Sequence, residues 1–124
     1  MEQTYIQIMI QSLNKKLGVL DRILEVNTAQ KEILENTKAT VEAFDKTVDE
    51  KARLIEQLQQ LDSGFEKLFE RVQEELQGNK SVHAEAIRMM QNSIRLITDK
   101  SMEIQVQEAR NKELMVRKFA YVRN

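Results

Sequence analysis

Val41, Phe44, Val48, Ile55, Leu58, Leu61, Phe65, Leu68, Val72 and Leu76 recur at helical spacing between Thr40 and Gln77. Charged residues such as Glu42, Asp45, Asp49, Arg53, Glu56, Glu66, Glu70 and Glu74 fill the positions between them. Such a pattern predicts a helix that is apolar on one side only. Lys51 alone interrupts the stripe, and a lysine stem can lie on apolar surface while its ammonium reaches water. A helix of this kind is not stable alone in water and requires partners along its length. The sequence on either side provides two.

The first element spans about residues 3–36. Ile6, Ile10, Leu13, Leu17, Leu20 and Leu24 form a seam with alternating steps of four and three. Beyond Leu24 the seam reaches Asn27 and Lys31, while Ile23, Val26, Ile33 and Leu34 take over the apolar role. The stripe therefore rotates around the helix. Gly18 lies inside this element at a cost of ~1 kcal/mol relative to Ala, and close approach of a neighbouring helix would explain it.

The segment Asn36-Thr37-Lys38-Ala39-Thr40 predicts a break, with Thr40 as the N-cap of the central helix. Asp62-Ser63-Gly64 is a weak point, and Ser63-x-x-Glu66 fits a capping box. Because Leu61, Phe65 and Leu68 stay in phase across it, the pattern predicts one continuous helix over about 40–77. Glu42–Lys46 and Asp49–Arg53 are spaced for ion pairs on its exposed face. Gly78-Asn79-Lys80-Ser81 marks a second break, with Asn or Ser capping the next helix.

The last element covers about 81–122. Val82, Ala86, Met89, Met90, Ser93, Ile97 and Ile104 are expected inward, with Ile94 beside them. A polar interval comes next, and then Leu114, Met115, Val116, Phe119, Tyr121 and Val122 return on more than one face. Residues 108–124 therefore form a candidate partner-binding tail. Three such elements joined by short turns predict an all-α fold: a single helical domain over 1–124, built as an elongated antiparallel three-helix bundle, coiled-coil-like. At 1.5 Å per residue its helices would be about 50 Å long.

Composition narrows the function classes. Of 124 residues 31% are charged and only 5% aromatic, with no proline and no tryptophan, so the core is a narrow seam between helices. No cysteine is present, which excludes disulfides and thiolate chemistry. The start MEQTYIQIMI has no basic n-region, and no apolar run is long enough to span a bilayer; the expected location is cytoplasmic, without membrane insertion. Net charge is −1 but uneven: residues 41–77 carry ten acidic and five basic side chains, and residues 108–124 two acidic and five basic. Aromatics do not interleave with those basic residues, so nucleic acid is not an expected partner.

Catalytic constellations are nearly absent. His83 is the only histidine, and the Glu-x-x-His spacing of di-iron sites fails because position 80 is lysine. The carboxylates Glu70, Glu74 and Glu75, like Asp45 and Asp49, read as solvated helix faces. No phosphate-binding glycine loop or nucleophile elbow occurs. The chain is expected to be neither an enzyme nor a metal or cofactor protein. Methionine suits adaptable contact surfaces; Met89 and Met90 are assigned to the core, and Met115 to the tail.

The segments Gln30-Lys31-Glu32-Ile33-Leu34, Thr40-Val41-Glu42-Ala43-Phe44 and Glu50-Lys51-Ala52-Arg53-Leu54-Ile55-Glu56-Gln57-Leu58, with Leu61 and Phe65, resemble the FlgN-type flagellar export chaperones. Glu108-Ala109-Arg110-Asn111-Lys112-Glu113-Leu114-Met115 resembles that family's last helix, where an Asn precedes an apolar pair. The resemblance implies a cytosolic all-helical chaperone that binds the C-terminal helices of hook-associated (hook–filament junction) proteins. It would prevent their premature assembly and deliver them to the type III export apparatus. It also implies a substrate surface on Leu114, Met115, Val116 and Phe119, bordered by Asn111; Tyr121 and Val122 join it only from the apolar pattern. An export ATPase or gate component is a further partner for the acidic central helix, with no motif spacing behind it. The alternative reading is a structural or adaptor coiled coil that works through homo-oligomerisation.

Overall fold

A computed structural model describes residues 3–120, and it is all-helical. Helix α1 spans Tyr5–Glu35, α2 Val41–Asp62, α3 Phe65–Leu76 and α4 Ala84–Phe119. Sequence chemistry explains most of their ends. The Thr4 hydroxyl accepts from the Gln7 N–H and the Gln7 side chain accepts from the Thr4 N–H, a reciprocal cap that starts α1. Glu75 of α3 accepts a hydrogen bond from the Ile6 N–H at 3.1 Å, so a carboxylate expected to be solvated instead caps α1. Asn36 closes α1 and turns the chain, its Oδ1 accepting from the Lys38 N–H. Thr40 caps α2 as its sequence predicts, through Ala43 N–H at 3.2 Å.

The central element departs from the continuous helix expected over 40–77. Ser63 ends α2, and Gly64 takes a left-handed conformation at φ 79°, so four helices replace the three expected. An apolar stripe that keeps its phase does not require an unbroken backbone: two residues of turn return Phe65 near the same side. At the next break Gly78 is left-handed (φ 77°), and His83, rather than Asn79 or Ser81, occupies the N-cap of α4. Val82 stays outside the helix and is largely exposed, not inward.

α1 is the element against which all the others pack. Ile6–Glu75, Lys16–Asp62, Arg22–Glu50 and Gln30–Thr47 contacts climb α1 while descending α3 and α2, so those two helices run opposite to α1. Asp21–Lys100, Leu24–Gln107, Asn27–Asn111 and Asn36–Lys118 climb together, so α4 runs with α1. One core cluster joins Ile6, Met9 and Leu13 to Val72 and Met90; a second joins Ile23 and Val26 to Leu54. Each buried side chain of this size stabilises the fold by roughly 1.5–3 kcal/mol.

Several face assignments shift by one position. On α2 the buried residues are Thr47 and Leu54, whereas the stripe residues Val48 and Ile55 are exposed. Met90 is buried but its neighbour Met89 is half exposed. Gly18 is not a close-approach site, because a Cβ built there would meet no atom within 4 Å. The exposed pairs Glu42–Lys46 and Asp49–Arg53 do not form; α2 makes its ion pairs to other helices, through Lys16–Asp62, Arg22–Glu50 and Lys51–Glu108. Arg22, held between Glu25 and Glu50, has its pKa raised by hydrogen bonds to those carboxylates, Glu25 foremost.

Candidate partner-binding site

Where α1 ends, its seam becomes polar. Asn27 and Gln30 are buried there rather than turned to solvent, together with Thr47, Gln107 and Asn111. Asn111 donates to the Asn27 carbonyl at 2.9 Å and to Gln30 Oε1 at 3.2 Å; Gln30 in turn donates to the Thr47 hydroxyl at 3.0 Å. Lys51 bridges from α2 to α4, with its ammonium 2.8 Å from Glu108 and 3.3 Å from Gln30 Oε1. Its stem lies along the packed surface and only its head reaches the edge, as its place in an apolar stripe implies. Farther on, Lys118 donates to the Asn36 carbonyl at 2.7 Å and so holds the last turn of α4 against the end of α1.

Beside this polar layer α2 and α4 leave a recess of about 440 Å³. Phe44, Val48 and Lys51 line it from α2, Gln30 from α1, and Glu108, Ala109, Asn111, Lys112 and Met115 from α4. Its surface is mostly apolar, with a cationic and an anionic group joined across one end. Such a surface suits the apolar side of a helix, with polar contacts fixing its register. Among the described residues no group of three or more His, Cys, Asp or Glu side chains is placed to hold a metal ion, and His83 makes no side-chain capping bond.

The expected site residues separate here. Residues 108–119 are no loose tail: they are the final turns of α4. Asn111 and Met115 both line the recess, but Asn111 is buried and tied to α1. Phe119 is half-buried against Phe44, one of the recess walls. Leu114 is half-buried and Val116 is exposed, and neither lines the recess. Tyr121 and Val122 lie outside the described residues. Sequence reading missed Phe44 and Val48 as site residues, although opposed helix directions bring the start of α2 to the end of α4. No family model, curated protein or solved structure matches the chain. Among the described residues no helix is long and apolar enough to cross a membrane.

Proposed function

We propose that this chain is a cytoplasmic export chaperone of the FlgN type. It holds the C-terminal helix of a hook-associated junction protein, keeps that subunit from assembling early, and brings it to the type III export apparatus. On this reading α2 and α3 are two halves of one descending course, and the molecule is an elongated bundle of three antiparallel, coiled-coil-like courses. The observation that carries the proposal is the α2–α4 recess, whose lining includes Met115 and the bordering Asn111 of the segment where the resemblance puts the substrate surface. Phe44, Val48 and Met115 offer three apolar contacts there. At roughly 1.5–3 kcal/mol per buried side chain, and after the cost of association, these three contacts supply part of the roughly 8 kcal/mol that micromolar binding requires; burial of the partner's own apolar side chains supplies the rest.

The test is a titration of the full chain with the C-terminal helix of a junction protein from the same genome. Truncating the chain at residue 107 would remove Asn111 from the polar layer, so point substitutions are the better probe. Wild type should bind at micromolar concentration, Met115→Glu should weaken binding by more than about tenfold, and Met89→Glu, on an exposed surface elsewhere, should not. Failure of the wild type to bind overturns the proposal. Equal loss in both variants removes the recess as its site.

A further inference from the structure

At the other end of the bundle α3 and α4 leave a second open groove, about 460 Å³ in volume, with Met9 of α1 beneath it. Its walls carry Phe65 and Phe69, whose rings stack with centroids 6.1 Å apart, and Ile94. These three are 37%, 44% and 46% exposed, a cost for side chains that otherwise build a core. The surfaces beside the groove differ in net sign. Next to the phenylalanines, Glu66 and Glu70 line a shallow recess with Asp62 and Lys67, whereas on α4 Arg88 and Arg95 line one with Glu85. Among the described residues Glu66, Glu70, Arg88 and Arg95 are in no ion pair.

We propose that a second copy of this chain covers the groove, related by a twofold axis parallel to the helices. This operator lays α3 of each protomer on α4 of the other, so each acidic bank meets a basic bank. A twofold axis across the groove would instead set acid on acid and base on base. The levels also agree. Val72 and Met90 meet in one core cluster. Glu66 is six residues before Val72 on the descending helix, and Arg95 five after Met90 on the ascending one, about 9 and 8 Å along the same direction. A parallel twofold axis preserves that level, bringing Glu66 against Arg95 of the partner subunit. Because α3 and α4 run oppositely, the four helices form an all-antiparallel ring, a favoured bundle geometry with an isologous interface. The contact lies away from the α2–α4 recess and does not rest on the chaperone reading.

Light scattering or sedimentation of the full chain tests this over about 5 to about 500 µM, a range suited to a small interface. Mass should rise towards twice the monomer value. Glu66→Arg with Glu70→Arg should weaken the dimer at least tenfold, and so should Arg88→Glu with Arg95→Glu, while circular dichroism confirms that each variant keeps its helicity. Mixing the two variants should restore the dimer, because each then meets the opposite charge on both banks. A monomer at every concentration overturns the proposal, as does a dimer indifferent to the reversals or a mixture that stays monomeric.

Discussion

Phe119, on the last turn of α4, meets Phe44, near the start of α2, edge to face with ring centroids 5.8 Å apart. The contact joins two residues 75 positions apart in the chain, and it stands where Lys118 also reaches the end of α1. An aromatic pair of this geometry contributes about 0.5–1.5 kcal/mol beyond simple burial. Phe44→Ala, Phe119→Ala and the double variant should therefore show a coupling energy of that size in urea unfolding. Additive losses would mean that the rings stabilise their own helices independently. Because Phe119 also supports the fold, a loss of partner binding in Phe119→Ala has to be corrected for this change in stability.

Lys51 and Glu108 join α2 to α4 at 2.8 Å, with side chains 12% and 44% exposed. The unequal exposure predicts unequal consequences. Glu108→Gln leaves a nearly buried ammonium with weaker partners and should cost about 1 kcal/mol, a figure reduced by solvent screening at the exposed carboxylate. Lys51→Met removes the charge that must be desolvated and keeps the stem, so it should cost less. Urea midpoints rank the two variants, and the reverse order would mean that the Lys51 charge is stabilising in itself.

The alternation of apolar and polar residues was enough to expose helices, the Thr40 cap and the breaks near Asn36 and Gly78. It did not show which edge of the α2 stripe lies deepest. Leu54, one position off that stripe, packs on α1, while Val48 within the stripe lines the recess, and periodicity alone does not separate the two roles. The break at Gly64 was hidden because the turn preserved the phase. Gln30 and Asn111 were illegible for a different reason: polarity normally signals solvent, and only three-dimensional pairing shows that these two amides hydrogen-bond across the interior, where Asn27 offers its backbone carbonyl. The candidate site was half legible, since Met115 lies on its predicted segment while its opposite wall comes from a helix read only as scaffold.

Two glycines should respond oppositely to the same change. Gly18 sits in mid-helix beside open space, so Gly18→Ala should stabilise the protein by roughly 0.5–1 kcal/mol through helix propensity and reduced chain entropy. Gly64 has space as well, but its φ of 79° is one that L residues rarely adopt. Gly64→Ala should cost about 1 kcal/mol. Thermal unfolding decides both. A stabilised Gly64→Ala would indicate that α2 and α3 can fuse into the continuous helix that the stripe suggests.

Asn27 and Asn111 face the same polar layer, yet their amides do different things. Asn27 is completely buried and its side-chain oxygen and nitrogen have no protein partner, whereas Asn111 donates to two acceptors across the α1–α4 interface. Truncating Asn111 to Ala removes two donated hydrogen bonds, although the Asn27 carbonyl keeps its place in the α1 ladder and Gln30 Oε1 keeps Lys51, which predicts a loss of about 1 kcal/mol. Truncating Asn27 breaks no side-chain hydrogen bond and removes a buried polar group whose desolvation opposes folding, so only its packing is lost. Asn27→Ala should thus cost less than Asn111→Ala, despite being the more buried position. Urea denaturation at constant m-value gives the order directly. A larger loss at Asn27 would mean that its amide is hydrogen-bonded after all, and would make it the keystone of the layer in place of Asn111.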